Sequence, residues 1–207
     1  MQRIGVLGAS FNPPTIGHQD VINQALPFFD EILLVPSVSH PFRKVLAPIH
    51  HRLEMLKIFI ENWQKSIVPI KIMNIEETMQ KSRQEPGPIY TYDVLSALTE
   101  LYQSYQKPFQ IHFILGPDIF STEVWHKFHR YREIEEKWPL FIAKENIHVH
   151  SSLVREICVK YAKEPLLRRN ELIHLVGKPM TDYIEWHGLY REENALKDME
   201  ISKFNAV

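Results

Sequence analysis

Cysteine is almost absent from this chain: Cys158 is the only one among 207 residues. A lone cysteine excludes an intrachain disulfide and is compatible with a reducing compartment. No apolar run approaches the roughly 20 residues that span a bilayer. The N-terminus enters an apolar strand pattern at once, without a signal-peptide pattern. A cytoplasmic protein with no membrane partner is therefore expected. Neither sign of charge is in excess. The formal net charge is −1, whereas a general nucleic-acid binder carries a strong basic surplus. No nucleic-acid partner is expected, although a local basic cleft is allowed. The dinucleotide fingerprint GxGxxG is missing too, because Gly5 and Gly8 are spaced differently and no third glycine follows in place. Internal repeats and low-complexity tracts are absent.

What is present is ordinary for a soluble globular chain: 44% hydrophobic and 24% charged residues. The length suits one domain, expected over 1–191, with a helical C-terminal part from about 151 and a mobile polar tail over 192–207. Apolar runs at Ile4–Leu7, Glu31–Pro36, Ile67–Met73, Gln110–Leu115 and Leu140–Ala143 read as buried strands, with Ile147–Val149 as a short extension. Helical spacing marks Gln19–Phe29, Ile49–Trp63 and Tyr90–Tyr105, then short pieces from Phe120 to Lys137. Asn74–Pro88 reads as a polar connection ending in the turn signal Pro86-Gly87-Pro88. Beyond residue 150 the pattern predicts helices over Ser152–Ala162, Leu166–Val176 and Pro179–His187, with Pro179 in a first turn and Gly188 as a C-terminal cap. Nearly all-apolar strands alternating with helices predict an α/β fold, a Rossmann-like doubly wound parallel sheet.

The segment Gly8 to His18 joins the first strand to the first helix. Gly17 and His18 fall in or near the first turn, where unpaired N–H groups and the helix dipole attract an anion. Gly8 lets a ligand approach the backbone, two prolines stiffen the loop, and Thr15 and His18 add a hydroxyl and an imidazole. Such a loop also occurs without any ligand, with the histidine as a simple cap. Gly116-Pro117-Asp118 closes another strand, and ligands of doubly wound sheets sit at the strands' carboxyl ends. A second anion site is suggested by His150 to Arg155. Ser151 or Ser152 is expected at the N-cap, with Arg155 in the first turn. A cation there costs about 0.3–1 kcal/mol unless an anion offsets it. The alternative is a serine cap followed by a solvated arginine.

These residues resemble the nucleotidyltransferase superfamily. Thr15-Ile16-Gly17-His18 looks like its (H/T)xGH signature, and Val149 to Arg155 looks like its ISSTxxR signature. GASFN at 8–12, PFRK at 41–44, YTYD at 90–93, GPD at 116–118, FHRYREI at 128–134 and DYIEWHGLY at 182–190 follow in the order of the nicotinate or nicotinamide mononucleotide adenylyltransferases. The resemblance implies adenylyl transfer from ATP to a pyridine mononucleotide in NAD biosynthesis, releasing pyrophosphate. It gives catalytic roles to His18, Thr15, Lys44 and Arg155. ATP would be met by Gly8, Ser10, Phe11, Gly17, Gly116, Asp118, Ser151 and Ser152, and the mononucleotide by Asn12, Tyr90, Thr91, Trp125 and Phe128. Mg²⁺ would accompany ATP with few protein ligands. Small-molecule partners are implied, and a homo-oligomer is allowed. The pattern departs from the superfamily at His150, where a serine is usual, at Ser152, where threonine is usual, and at Phe128, where tryptophan is frequent. These departures keep two alternatives open: a non-catalytic nucleotide sensor, or an enzyme for another phosphorylated acceptor such as phosphopantetheine.

Remaining candidates have plainer readings. His50-His51 and His148-x-His150 lack the three or four ligands of a zinc site, so surface or capping roles and no metal site are expected. Cys158 lies on an apolar helix face and reads as core. Trp125 to Tyr131 could stack on RNA bases, though a mononucleotide lid explains it as well. Glu76-Glu77 and Glu133, Glu135 and Glu136 read as solvated faces.

Overall fold

The computed structural model describes residues 1–38, 46–61, 66–83, 87–120 and 124–191. Lys44, Trp63, Pro86 and the 192–207 tail lie outside these residues. Within them the chain gathers into two compact units. One draws on residues 1–9, 18–38, 66–83, 87–120 and 124–146. The other draws on 10–17, 46–61 and 147–191. Among the described residues, no helix is long and apolar enough to cross a membrane.

In chain order the elements are β1 (Gln2–Ala9), α1 (Ile16–Ala25), β2 (Glu31–Pro36), α2 (Ile49–Glu61), β3 (Ile70–Ile72), α3 (Ile75–Ser82), α4 (Thr91–Ser104), β4 (Phe109–Leu115), α5 (Pro117–Phe120), α6 (Tyr131–Lys137), β5 (Leu140–Ile142), α7 (Ser151–Lys160), α8 (Pro165–Val176) and α9 (Lys178–Trp186). Short 3₁₀ turns add Leu26–Phe28 and Trp125–Lys127.

The first unit is built on the sheet. Its order is β3-β2-β1-β4-β5, and every pairing is parallel. Side chains alternate across a sheet. Ile4 and Val6, Leu33 and Val35, and Ile111, Phe113 and Leu115 accordingly share one face with Tyr92, Leu95 and Leu98 of α4, Ile134 of α6, and Trp138. On the opposite face Gly5 lets β1 close against Phe29 and Ile114. An added Cβ there would meet Ile114 Cδ1 at 2.8 Å and Phe29 Cδ2 at 2.9 Å. The order reverses at β1, which pairs with β2 on one side and β4 on the other. This is the expected doubly wound α/β sheet with its switch point between β1 and β4.

The second unit is helical. Arg52, Met55, Leu56 and Phe59 form the buried stripe of α2. Val154, Ile157 and Cys158 of α7, Leu172 and Val176 of α8, and Met180 and Ile184 of α9 are also buried. Arg168 of α8 grips Glu185 of α9 through two bonds, Nε to Oε1 at 2.6 Å and Nη2 to Oε2 at 2.9 Å. The helix α9 ends as its glycine predicts. Gly188 takes φ +60°. Its N–H donates to Glu185 O at 3.2 Å, and the Leu189 N–H donates to Ile184 O at 3.0 Å. This is a Schellman cap.

Several boundaries differ from the sequence expectation. The first helix gives way after Ala25 to a 3₁₀ turn at Pro27, which cannot donate to a continuing α-helical ladder. The third strand shrinks to Ile70–Ile72, and Ile67 is exposed. The expected connection at 74–88 contains α3. Its signature is charge rather than apolar period: Glu76 and Glu77 in the first turn and Lys81 in the last complement the helix dipole. Residues 147–149 form no strand. The N-cap of α7 is His150, not a serine, so Ser151 and Ser152 open the helix itself.

Candidate functional site

In the second unit, residues 10–15 fold into a buried loop. Phe11, Asn12 and Thr15 are each no more than 1% exposed. Phe11 takes φ +46°, a left-handed conformation uncommon for an aromatic residue. The Asn12-Pro13 peptide is cis. Three contacts join this loop to α7 and the residue pair before it. Thr15 Oγ1 donates to Val149 O at 3.1 Å. Ser151 Oγ donates to Pro13 O at 2.8 Å. Arg155 Nη1 donates to Asn12 O at 2.8 Å. Gly17 is required by the same approach, because a Cβ there would lie 2.2 Å from Val149 O. Two sequence motifs far apart along the chain are thus brought together.

This geometry refines the expected roles. Arg155 is 8% exposed rather than solvated, so the plain reading of a solvated arginine is corrected: its guanidinium reaches a loop carbonyl. The Asn12 side chain is turned inward. Its Oδ1 accepts the Ala47 N–H at 3.1 Å and the Tyr190 hydroxyl at 3.0 Å. Ser10 is held through its carbonyl, which accepts Arg52 Nη1 at 2.9 Å, while Arg52 Nε reaches Ala47 O at 2.8 Å. Ser152 is half-buried and the capping His150 is exposed.

Sequence reasoning missed Arg52 and Tyr190. A signal existed for Arg52: it shares the apolar stripe of Met55, Leu56 and Phe59, a cation at helical spacing from buried side chains. Tyr190 closes the DYIEWHGLY stretch at 182–190, which marked it as part of a motif but gave it no role.

In the sheet unit, Gly8 lies near the end of β1, and Gly116 follows β4, its strand neighbour; Leu7 pairs with Ile114 in register. The added Cβ of Gly8 would meet only Phe113 Cε2, at 3.8 Å, so packing does not demand glycine there. Asp118 is exposed, with its Oδ1 close against Gly116. His18 is half-buried in the first turn of α1. Gly8 and Thr91 line one small cavity of about 20 Å³ with Val6, Val35, Glu76 and Phe113. Glu76 corrects an expectation. It is 8% exposed instead of solvated, and its Oε2 accepts the Val38 N–H at 2.8 Å. Glu77 keeps to the surface reading, paired with Lys81 at 2.6 Å.

The aromatic candidates separate. Tyr90 is exposed and stacks on His129 with centroids 4.3 Å apart. Its N–H donates to Asp93 Oδ2 at 3.2 Å, fixing the start of α4. Trp125 is 2% exposed and belongs to the core, its Nε1 donating to Glu135 Oε1 at 2.7 Å. Phe128 is half-buried, packing one side on Trp125 at 5.1 Å. Of the two rings, Phe128 retains an accessible side.

His50 and His51 of α2 fall in a ring cluster of the second unit. His51 Nδ1 lies 2.9 Å from the Tyr183 hydroxyl, and its ring lies 4.2 Å from His50 and 4.9 Å from His187. Burial lowers the pKa of His51, and the neighbouring His50 and His187 lower it further. Burial raises the Cys158 thiol to about 12, so it stays protonated in the core as expected.

The cytidylyltransferase-like family model matches residues 6–157, a span that contains both joined motifs. The chain belongs to this family. Among cytidylyltransferase-like relatives, the nicotinate-nucleotide adenylyltransferase of Bacillus subtilis is 28% identical over 213 residues, covering 92% of this chain and 99% of that protein. A solved structure of Plasmodium falciparum nicotinic acid mononucleotide adenylyltransferase, complexed with NaAD, aligns with a TM-score of 0.67 at 23% identity over 92% of this chain and 98% of that one. At that identity the shared feature is the fold.

Proposed function

We propose that this chain is an enzyme that transfers the adenylyl group of ATP to nicotinate mononucleotide in NAD biosynthesis, forming the dinucleotide and pyrophosphate. The observation that carries this reading is the joining of the 10–17 loop to the start of α7 through Thr15, Ser151 and Arg155. The likeness to the Bacillus subtilis enzyme over nearly the whole chain supports the choice of reaction.

The reaction asks little of acid–base chemistry. A phosphate oxygen of the mononucleotide, already anionic at neutral pH, attacks the α-phosphorus of ATP. The new P–O bond forms as the bond to the bridging α–β oxygen breaks, and its electron pair leaves with pyrophosphate. Catalysis then consists of aligning nucleophile and leaving group and stabilising spreading charge. We assign the reacting phosphates to His18, Thr15 and Arg155, and to Lys44, which lies outside the described residues. Gly8, Ser10, Phe11, Gly17, Gly116, Asp118, Ser151 and Ser152 are assigned to ATP. Tyr90, Thr91 and Phe128 are assigned to the acceptor. Asn12 acts by shaping the loop, and Trp125 by backing Phe128.

Magnesium fits as a companion of ATP. Among the described residues no group of three or more His, Cys, Asp or Glu side chains could hold an ion. The hydroxyls and the Arg155 cation would meet the phosphates, and the ion would be held through phosphate oxygens and water. When bound, it would neutralise triphosphate charge. A cytoplasmic location accords with the single, buried cysteine.

The test is pyrophosphate release by purified protein with ATP, magnesium and either nicotinate or nicotinamide mononucleotide. Turnover faster with the nicotinate form supports the reading. Tight ATP binding with no turnover on either acceptor overturns it in favour of a nucleotide sensor. His18→Ala should lose turnover far more than stability, and near-normal activity would remove His18 from the mechanism.

A further inference from the structure

The last described turn of the chain reaches back to its first loop. After the Schellman cap at Gly188, Tyr190 takes φ +64°. A bulky aromatic residue in the left-handed region is strained, and it persists only where surrounding contacts enforce it. Here the turn delivers the phenol to Asn12 Oδ1 at 3.0 Å, with Met55 Sδ 3.9 Å away. Asn12 is 1% exposed and stands at the centre of a bonded set. Its side-chain oxygen takes two donors, Tyr190 and Ala47. Its main-chain oxygen takes Arg155. Ala47 in turn is tied to Arg52, which also holds the Ser10 carbonyl. Burial raises the phenol's pKa, which keeps it protonated, and hence a donor, through the physiological range.

We infer that Tyr190 is a positioning residue for the 10–17 loop, acting through the Asn12 carboxamide. The inference rests on the adenylyl-transfer reading for its effect on rate, but not for its effect on the loop. The amide of Asn12 has two routes to an ordered loop, and Tyr190 supplies the one that spans nearly the whole sequence. Losing it leaves the loop bonded to Ala47 and Arg155 yet less narrowly placed. Small displacements of a positioning loop slow catalysis steeply, because about 1 Å of misplacement costs on the order of 10²-fold.

The experiment compares Tyr190→Phe, Asn12→Ala and the double variant with the unaltered full chain. Three readouts are taken: steady-state kinetics, thermal unfolding, and hydrogen exchange of a peptide covering the loop. Tyr190→Phe should lower kcat by about tenfold with a much smaller change in acceptor KM, since alignment and not acceptor binding is lost. Exchange should rise in the loop peptide and stay level in the sheet strands. The double variant should be no slower than Asn12→Ala alone, because Asn12→Ala already removes the contact that Tyr190→Phe breaks. A kcat within twofold of the unaltered protein, or exchange that rises equally everywhere, overturns the inference. If the unaltered protein fails to turn over, the adenylyl-transfer reading falls. The exchange comparison then decides Tyr190 alone: a rise confined to the loop upholds it, and no rise overturns it.

Discussion

Arg155 Nη1 donates to the carbonyl oxygen of Asn12 at 2.8 Å, across 143 positions of sequence. A buried guanidinium that reaches a main-chain oxygen fixes the path of a loop, and it keeps its charge while doing so. On the adenylyl-transfer reading, the same residue would serve shape and electrostatics at once.

Replacing it tests both. Arg155→Ala leaves a buried carbonyl without that donor, which costs about 1–3 kcal/mol. For a chain of this size each kcal/mol lowers Tm by about 2–4 °C. Turnover should fall by more than about 10²-fold, beyond what lost stability explains. Calorimetry and a pyrophosphate assay on one preparation separate the two effects. A melting shift with unchanged kcat would reduce Arg155 to a structural tie.

Glycines 8 and 17 should behave oppositely. Gly17→Ala would place a Cβ 2.2 Å from the Val149 carbonyl, a main-chain atom that cannot swing aside. It should break the Thr15–Val149 bond and lower the denaturant midpoint. Gly8→Ala meets only an ordinary contact at 3.8 Å, so its melting curve should match the parent. If ATP passes close to that backbone, its KM for ATP should still rise. Unaltered nucleotide binding in Gly8→Ala would place the ligand elsewhere.

Trp125 and Phe128 divide in the same manner. Trp125 is buried, so Trp125→Ala empties a core position and should destabilise by about 3–5 kcal/mol. Phe128→Ala, at a half-buried ring, should leave folding nearly intact and raise the mononucleotide KM by about tenfold. Kinetics against acceptor concentration, paired with urea unfolding, would expose any exchange of these roles.

Acidification should loosen the histidine cluster between α2 and α9. His51 has a folded pKa lowered by burial and by His50 and His187. Below its ordinary value near 6.5, the unfolded chain binds a proton that the folded chain refuses. Stability therefore falls as pH drops through that value towards the folded one, and is fully retained above it. Among the described residues, the groups facing His51 are His50 on its own helix and Tyr183 and His187 from α9 and its cap. Melting temperatures from pH 7.5 to 5.0 should decline less steeply in His51→Gln than in the parent. Parallel curves would assign the decline to other groups, with His112 next, also lowered by burial.

The strands were readable because burial on both faces writes an unbroken apolar run, as in Ile32 to Val35. The loop and its partner motif were readable because residue types at fixed spacing carry chemistry. What escaped was polar and buried. Glu76 looked like half of an acidic surface pair, yet it serves the Val38 N–H, and nothing in residues 76 and 77 says which one turns inward. The helix α3 escaped with it, since only Ile75, Glu76 and Met79 offered a face. Arg52 was hidden by its charge on an otherwise apolar stripe. Tyr190 was visible only as the last residue of the 182–190 motif, and its role stayed hidden because its partner stands 178 residues away and the link is a single hydroxyl.

The 10–17 loop is made well before the residues that clamp it. Its ties run to Val149, Ser151, Arg155 and Tyr190, so an emerging chain holds the loop without its full set of clamps until residue 190 has been translated. Long closures of this kind form slowly. The sheet strands, by contrast, lie before residue 143 and can pair first. A nascent chain on the ribosome would thus own the scaffold before it owned an ordered loop. On the adenylyl-transfer reading, full activity would arrive only once Tyr190 had emerged and closed on Asn12.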